Sequence, residues 1–393
     1  MNMNITLICN NIQLYNEFMN SQLFSSVKIG QDLNTDDKYD CIIILDKMIE
    51  YNKLLELLEE NKIKSDNIFY ILSSEQNEQQ ISSIKYVLKS KNVEVIPPRL
   101  TEKQIFDRVC DKFKIDLLTN NNVILFFGAD SKVGTTITSQ AVAEALAENT
   151  NYQVCFLNLS GQPSFEYINE NTKGYGIDVI KTKIFNSILS KDELKSVMIT
   201  KGNLSILPSV KLFTDLRHYQ PSHAEYLIDL ASSLFDIVIV DAGYCPNSGL
   251  YIGALNSTKQ RYMVATQQES CINMFNMVKN QIFDLLDIDT NSIFLVINRF
   301  NNELHLSNFT KITNEVYKMV LAAILPNVPG GFWLSEVNKQ TLRNLSSEYR
   351  KSLDNLVKII AEQLGIKYKP PENKTKFNIP LLNIFKKKVA NNE

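Results

Sequence analysis

The chain has 393 residues, of which 44% are hydrophobic and 21% are charged, and its formal net charge is −2. This balance is typical of globular proteins and excludes a disordered or fibrous chain, and the length is comfortable for two domains. A net charge so close to zero gives no overall attraction to nucleic acid, so no specific nucleic-acid partner is expected.

The cysteines, the histidines and the N-terminal residues predict a cytoplasmic protein. The six cysteines form no C-x-x-C pair and three of them lie in apolar runs, which predicts buried thiols in a reducing compartment. The three histidines complete no ligand pattern with them. The first residues lack the basic and apolar regions of a signal peptide, and no run approaches the ~18 apolar residues that span a bilayer.

Residues 1–117 alternate short apolar segments with helical patterns. The apolar segments predict strands at 5–9, 27–29, 41–46, 68–72 and 93–96. Helices are predicted at 12–24, through 54–58, around 81–88 and at 101–113. Such alternation predicts parallel strands joined by crossover helices, and therefore a doubly wound three-layer α/β domain.

This first domain resembles the receiver domain of response regulators, because an aspartate, Asp46, closes the third of five strands. Receivers place an acidic pair after the first strand, where this chain has Asn10 and Asn11, and a lysine after the fifth, where it has Pro97 and Pro98. Without those groups the charge that develops in phosphoryl transfer is not neutralised. Asp46 is therefore interpreted as a loop or helix-cap residue, with a phosphoacceptor as the alternative, and the domain as a flavodoxin-like interaction module.

A linker is predicted at residues 118–122, where three consecutive asparagines occur. Residues 123–369 form the second predicted domain, and residues 370–393 form a polar and basic tail.

The second domain opens with an apolar run, Val123–Phe127, that ends at Gly128 and is followed by a polar turn and an Ala-rich helical segment from Gly134. Such a strand-turn-helix brings main-chain N–H groups and the positive end of a helix to one point, where a phosphate binds, and places the hydroxyl of Thr136 as a Mg²⁺ ligand. The lysine of the usual P-loop is missing, since Thr135 occupies its position. The turn alone leaves open whether any nucleotide binds.

Six further apolar segments predict strands at 154–159, 204–207, 235–241, 261–266, 293–297 and 322–325. Helices are predicted at 224–234, 274–286 and 342–364. The strands are apolar almost throughout, which indicates a sheet covered on both faces. Seven strands with a phosphate turn after the first predict a doubly wound, mostly parallel sheet, with its ligand at the carboxyl ends of the strands.

The order of motifs in this domain resembles the MinD/ParA family of P-loop ATPases, which carry a deviant Walker A turn. The motifs are the turn Gly128–Ile137, Phe235-Asp-Ile-Val-Ile-Val-Asp-Ala-Gly243, Val264-Ala-Thr-Gln-Gln268, Leu295-Val-Ile-Asn-Arg299 and Ile324-Leu-Pro326. The turn is most similar to that of the TadZ/CpaE branch, whose members carry an atypical receiver domain in front and help to assemble and localise the Tad/Flp type IV pilus. The resemblance implies a homodimer that binds ATP and Mg²⁺ and contacts pilus or secretion machinery.

The resemblance also implies which residues form the site. Those expected to bind the nucleotide are Asp130, Ser131, Lys132, Val133, Gly134, Thr135, Thr136, Ile137, Asn298 and Arg299. Those expected to hold Mg²⁺ are Thr136 and, through water, Asp241. Each has a structural alternative, because Thr136 would also serve as a helix cap, Asp241 as the end of a strand, and Asn298 with Arg299 as a turn.

The departures from the family pattern predict weak or no ATP hydrolysis and no catalytic residue. The two family lysines of the turn are replaced by Asp130 and Thr135, and the D-x-D aspartates by Asn158 and Ser160. Phosphoryl transfer depends on positioning and charge stabilisation, so these losses affect turnover more than binding. The leading hypothesis is a nucleotide-binding scaffold for pilus assembly. The alternative is an active ParA/MinD-type ATPase for partitioning or positioning, in which Lys132 replaces the missing clamp.

The tail contains bulky apolar residues from Phe377 to Phe385, followed by three lysines. It resembles the membrane-touching tails of MinD relatives, although Pro380 interrupts a helix. A disordered solubilising tail is the favoured interpretation, and a weak contact with the inner face of the cell membrane is the alternative.

Overall fold

The computed structural model describes residues 3–21, 23–33, 38–65, 67–73, 78–98, 100–113, 121–161, 167, 174–286, 288–301 and 317–370. The tail beyond residue 370 and most of the predicted linker lie outside these residues. The chain divides into two compact units, Met1–Thr119 with Asn280–Ile288, and Asn120–Lys279 with Asp289–Glu393.

The first unit is built on a parallel sheet. Its elements are β1 (Asn4–Ile8), α1 (Ile12–Asn20), β2 (Ser26–Gly30), β3 (Lys38–Tyr39), β4 (Cys41–Leu45), α2 (Tyr51–Glu59), β5 (Lys64–Ser65), β6 (Ile68–Ile71), α3 (Glu78–Ser90), β7 (Val93–Ile96) and α4 (Glu102–Lys112). Five of the strands form a sheet in the order β2-β1-β4-β6-β7, with every pair parallel. The short strands β3 and β5 form a separate parallel pair.

Two apolar clusters cover the two faces of this sheet. One cluster joins inward residues of the strands to Leu54 of α2 and Leu88 of α3. The other joins the remaining strand residues to Phe18 of α1 and Val109 of α4. The unit is therefore a three-layer α/β structure, because helices lie on both faces of a sheet whose strands are apolar on both sides.

The second unit contains the larger sheet. Its first elements are β8 (Val123–Gly128), α5 (Thr135–Asn149), β9 (Val154–Asn158), α6 (Lys181–Phe185), α7 (Lys191–Ser196), β10 (Ile199–Lys201), β11 (Leu204–Leu207), α8 (Phe213–Leu216), α9 (Pro221–Ser232) and β12 (Ile237–Asp241). They are followed by α10 (Gly249–Asn256), β13 (Gln260–Ala265), α11 (Glu269–Val278), a π-helical turn (Lys279–Phe283), α12 (Asp284–Leu286), β14 (Ile293–Phe300), β15 (Val320–Pro326), α13 (Gly331–Asn338), α14 (Leu342–Leu345) and α15 (Ser347–Gln363). The segment Asn280–Ile288, which includes α12, clusters with the first unit.

The eight strands of the second unit run in the order β10-β11-β9-β12-β8-β13-β14-β15. The seven predicted strands are all present and parallel, and the edge strand β10, which was not predicted, pairs antiparallel with β11. The mixed α/β fold with mostly parallel sheets is thus confirmed. Strand β8 lies between β12 and β13, so the loop that follows it opens where the carboxyl ends of neighbouring strands converge.

Several predicted helices have different bounds in the structure: the one predicted at 224–234 is Pro221–Ser232, and the one predicted at 274–286 is divided into α11, the π-helical turn and α12. The helix predicted at 342–364 is divided at Ser346, whose side chain accepts a hydrogen bond from the N–H of Tyr349 at 3.2 Å and caps the start of α15. The helix predicted at 12–24 ends at Asn20. None of the helices in the described part of the chain combines the length and apolar character needed to cross a bilayer.

Helices α9 and α10 pack closely because glycines stand at the contact. A Cβ atom added at Gly253 would lie 2.2 Å from the carbonyl oxygen of Pro221, and one added at Gly249 would lie 2.1 Å from that of Tyr219. A main-chain carbonyl has no freedom to move aside, so only glycine permits this approach.

We expect Gly253→Ala to lower the free energy of unfolding of the second unit by about 2 kcal/mol, because overpacking outweighs the gain of roughly 1 kcal/mol in helix propensity. Urea denaturation followed by the fluorescence of Trp333, the single tryptophan of the chain, measures this effect. The control is Glu362→Ala, a change at an exposed position of α15 in the same unit. An unchanged unfolding midpoint for Gly253→Ala would contradict the packing argument.

Candidate functional site

The loop between β8 and α5 is held at its start by the two neighbouring strands. The N–H of Gly128 donates to the carbonyl oxygen of Gly243 at 2.7 Å, and the N–H of Ala129 donates to that of Val264 at 2.9 Å. These bonds join the loop to the ends of β12 and β13, so its position follows from the order of strands in the sheet.

Two glycines give this loop its shape. A Cβ atom at Gly128 would lie 2.8 Å from both the carbonyl oxygen of Asp130 and the hydroxyl of Thr135. Gly134 has a left-handed backbone with φ +93°, and a Cβ there would lie 2.3 Å from Asn298 Nδ2 and 3.1 Å from Phe332 Cζ. Both positions exclude a side chain, because neighbouring atoms of the chain already occupy the space beside each glycine.

The N-terminus of α5 stands directly behind this loop. The helix is 15 residues long, has no acidic residue in its first turn, and receives no side-chain hydrogen bond at its N-cap, Gly134, from the described residues. Its first N–H groups and its dipole therefore favour an anion at this point.

The tip of the loop carries both signs of charge. Asp130 Oδ1 accepts a hydrogen bond from the N–H of Ser131 at 2.6 Å, so the carboxylate folds back onto the loop. Lys132 is exposed and has φ +57°, a left-handed conformation that costs a non-glycine residue roughly 1 kcal/mol. Residue 132 thus has a left-handed backbone conformation that glycine would adopt without strain.

The remaining predicted loop residues differ in exposure. Val133 and Ile137 are buried in the core, whereas Thr136 is only half-buried in the first turn of α5. Thr135 is 6% exposed, and its hydroxyl lies against Gly128. The position of the missing P-loop lysine therefore holds a neutral side chain packed inside the loop.

The ends of β9 and β12 contribute Asn158 and Asp241, both fully buried. Asn158 Oδ1 accepts from the N–H of Ser160 at 3.1 Å, and Asp241 Oδ1 accepts from the N–H of Gly243 at 2.9 Å. The hydroxyl of Ser160 is buried without a hydrogen-bond partner among the described residues. Asn158 and Ser160 are neutral, so neither acts as a base for an attacking water.

The donor set fits Mg²⁺ only together with a phosphate. No group of three or more His, Cys, Asp or Glu within the described ranges would hold a metal ion. Mg²⁺ is usually held by one or two carboxylates and the oxygens of a bound phosphate, and a single hydroxyl and a single carboxylate, those of Thr136 and Asp241, match that pattern.

Asn298 and Arg299 meet the loop from the end of β14. Asn298 is fully buried, and its Nδ2 donates to the carbonyl oxygen of Val133 at 2.9 Å. Its Oδ1 accepts from the N–H of Arg299 at 3.0 Å. The side-chain amide of this predicted nucleotide-binding residue therefore fixes the loop itself.

Phe332, which the sequence analysis missed, completes this side of the site. The guanidinium of Arg299 lies 3.9 Å from the centre of the Phe332 ring, a cation–π contact, and burial lowers the pKa of Arg299. The same ring lies against Gly134. The sequence signal for it was an aromatic residue directly after Gly330 and Gly331, at the start of a helix.

Asp46 of the first unit lies apart from this constellation in the chain and makes a structural contact. It is 8% exposed, and its Oδ2 accepts from the N–H of Ser73 at 2.6 Å, which joins the loops after β4 and β6. Asn11, at a position where receivers carry an acid, accepts from the N–H of Leu14 and caps α1. The loop or helix-cap interpretation of Asp46 and the phosphoacceptor alternative both remain predictions.

Comparison with known proteins identifies the fold. No protein-family model and no curated protein matches the sequence. Among solved structures, a ParA family ATPase from Chlorobium tepidum TLS matches with a TM-score of 0.53 and 17% identity over 60% of this chain and 98% of its own.

Two other structures are less similar. The MinC:MinD cell division complex of Aquifex aeolicus matches with a TM-score of 0.49 and 12% identity over 64% of this chain and 98% of its own. A putative plasmid partition protein from Borrelia burgdorferi, bound to AMPPNP, matches with a TM-score of 0.46 and 16% identity over 62% of this chain and 98% of its own. Only the first of the three is similar enough to carry an argument, and at its identity that argument concerns the fold: about 60% of this chain is folded like a ParA family ATPase.

Proposed function

We propose that the second unit binds ATP with Mg²⁺ at the loop Gly128–Ile137, and that the chain is a nucleotide-binding scaffold with weak or no ATP hydrolysis. One observation carries the proposal: the 15-residue helix α5 starts at a left-handed glycine, Gly134, directly after the loop, with no side-chain cap from the described residues and no acidic residue in its first turn. Such a helix start suits a phosphate chain even where the side chains around it have changed.

The residues available define how the nucleotide would be held. Main-chain N–H groups of the loop and the start of α5 would bind the phosphates, and Thr136 with Asp241 would hold Mg²⁺, which neutralises phosphate charge when bound. Asn298 lies beside Val133 and Gly134, and Arg299 lies against the Phe332 ring that also contacts Gly134, so these two residues would contact the nucleotide from this side of the loop.

The charges needed for hydrolysis are missing from the same site. Asp130 places a negative group at the loop tip, and Thr135 places a buried hydroxyl where a lysine would reach the phosphates. Loss of one such stabilising group typically costs about 10²–10³ in rate. Binding depends more on the main chain, so it survives changes that suppress turnover.

Calorimetry of the full chain with Mg²⁺ and a non-hydrolysable ATP analogue tests the proposal. We expect measurable heat of binding and phosphate release at the background rate. Thr135→Lys should strengthen binding by about tenfold, because it adds a charge-assisted contact to the phosphates. Thr182→Lys, which adds the same charge on exposed α6, is the control.

Two outcomes would contradict this proposal. If no heat of binding is measured at saturating nucleotide, the chain is a scaffold that does not bind nucleotide. Turnover above background that falls in Lys132→Ala while binding is retained would favour the alternative, an active ParA/MinD-type ATPase with Lys132 as its clamp. The exposed Lys132 in the loop and the fold shared with a ParA family ATPase are the observations that favour this alternative.

We further propose that the chain is a TadZ/CpaE-like protein that forms a homodimer and recruits pilus or secretion machinery on the cytoplasmic side of the membrane. The support is the motif order of the second unit together with a first unit whose five parallel strands have the order β2-β1-β4-β6-β7. In the first unit Asp46 is engaged in a structural contact, as suits an interaction module rather than a signalling one.

We expect a strain without this chain to lose surface pili in electron micrographs, and the wild-type chain to restore them. Light scattering of the purified protein should give twice the mass of one chain, measured with and without nucleotide. An unchanged pilus count in the deletion strain would exclude the pilus role, whatever the result of the nucleotide measurements.

The tail tests the remaining part of this proposal, a weak contact with the membrane surface. Its apolar residues and Lys386–Lys388 suit an anionic surface, although they lie outside the described residues. Removal of residues 377–393 should reduce sedimentation with anionic liposomes and leave nucleotide binding unchanged. Equal sedimentation of the two chains would assign the tail a solubilising role only.

A further inference from the structure

A cavity of about 420 Å³ lies beside the C-terminal half of α5, and none of its lining residues belongs to the loop Gly128–Ile137. We call it the α5 cavity. Its walls come from α5, from the turn between β10 and β11, from Tyr167, and from the segment that joins α13 to α14. The charged and polar side chains on which the argument depends are Glu144, Glu148, Lys201, Lys339 and Asn344. The volume is within the range of small-molecule sites.

Glu144 is the inner charge of the α5 cavity. Its Oε1 accepts from Gln140 Nε2 at 3.0 Å, and its Oε2 accepts from the hydroxyl of Thr341 at 2.6 Å and from Asn344 Nδ2 at 3.5 Å. All three donors are neutral. Burial raises the pKa of Glu144, and the neighbouring charge of Glu148 adds to that effect.

The nearest cation is engaged elsewhere. Arg343 is 1% exposed and pairs with Glu148 Oε2 at 2.5 Å; its charge also lowers the pKa of Glu144, but no ion pair of the described residues includes Glu144. Glu144 is half-buried, and a partly desolvated carboxylate that is hydrogen-bonded to neutral donors retains part of the cost of its desolvation. The α5 cavity therefore presents a negative charge that a cationic group would compensate.

The rim of the α5 cavity has the opposite sign. Lys201 is exposed at the end of β10, and Lys339 is half-buried with a left-handed backbone at φ +50°. Gln340 lies on the same lining, as does Asn203, whose amide bonds to Gln153 and to the carbonyl oxygen of Thr150. The polarity thus runs from an acidic interior to a basic rim.

We infer that the α5 cavity binds a small zwitterion of amino-acid type, whose primary ammonium group contacts Glu144 and whose carboxylate faces Lys201 and Lys339. An ammonium group places a compact charge and three donors against the carboxylate, and the two lysines favour the anionic end. A diamine would bring a second positive charge to the basic rim, and a dicarboxylate would bring a negative charge to Glu144, so both fit less well. The inference does not depend on nucleotide binding.

Calorimetry of the full chain with glycine, 4-aminobutanoate and 6-aminohexanoate tests it. We expect one of these zwitterions to bind at least about tenfold more tightly than the diamine and the simple carboxylate of the same length, because it alone matches both charges. Absence of binding by all three zwitterions, or a diamine that binds equally tightly, would overturn the assignment.

Two variants locate the binding. Glu144→Gln keeps the shape of the side chain and removes its charge, so it should weaken zwitterion binding by at least about tenfold. Ala147→Leu fills the α5 cavity and keeps every charge, and it should weaken binding to a similar degree. Glu362→Gln, an exposed change on α15, is the matched control.

Zwitterion binding that survives both cavity variants would overturn the inference. If Glu144→Gln loses zwitterion binding but still binds the ATP analogue, the loss belongs to the α5 cavity and not to the proposed nucleotide site.

Discussion

The hydrogen bond from Asn298 Nδ2 to the carbonyl oxygen of Val133 fixes the loop on which the candidate nucleotide site depends. It joins residues 165 positions apart and is fully buried. Because Asn298 stands so close, Gly134 has no space for a Cβ atom, and the left-handed turn that starts α5 is imposed by the end of β14. The shape of the loop is therefore a product of the sheet, through the neighbours of β8, and is not a property of the loop sequence alone.

This arrangement separates the shape of the loop from its charge. The shape resides in Gly128, Gly134 and main-chain hydrogen bonds to β12 and β13, and it is retained when side chains change. The charge resides in side chains, and here Asp130 and Thr135 stand where cations would be needed. Under the proposed function, such a loop would retain anion binding through its N–H groups while it lacks the placed charges that stabilise a transition state.

Sequence patterns were sufficient for the fold and insufficient for the contacts within the site. The seven parallel strands were predictable because apolar runs of four to eight residues identify buried strands, and the loop was predictable from its glycines. Strand β10 was missed because only its first residue, Ile199, is buried. The contact of Phe332 with Arg299, the bond of Asn298 to Val133 and the α5 cavity depend on elements far apart in sequence, and no local pattern encodes such proximity.

Helix α5 connects the loop and the α5 cavity through one side chain. Gln140 is fully buried, and its Nε2 donates both to Glu144 and to the carbonyl oxygen of Tyr167, while its Oε1 accepts from the N–H of Tyr167. Burial raises the pKa of Tyr167 to about 12, and the charges of Glu336 and Asp241 add to this shift, whereas that of Arg299 opposes it. The Tyr167 phenol therefore lies within the electrostatic reach of two predicted site residues, Asp241 and Arg299. A ligand that draws Glu144 towards the cavity would compete with Gln140 for the carboxylate and so weaken the hold of Gln140 on Tyr167. If both proposed ligands bind and are coupled in this way, the coupling is reciprocal, so that each changes the affinity for the other by the same factor.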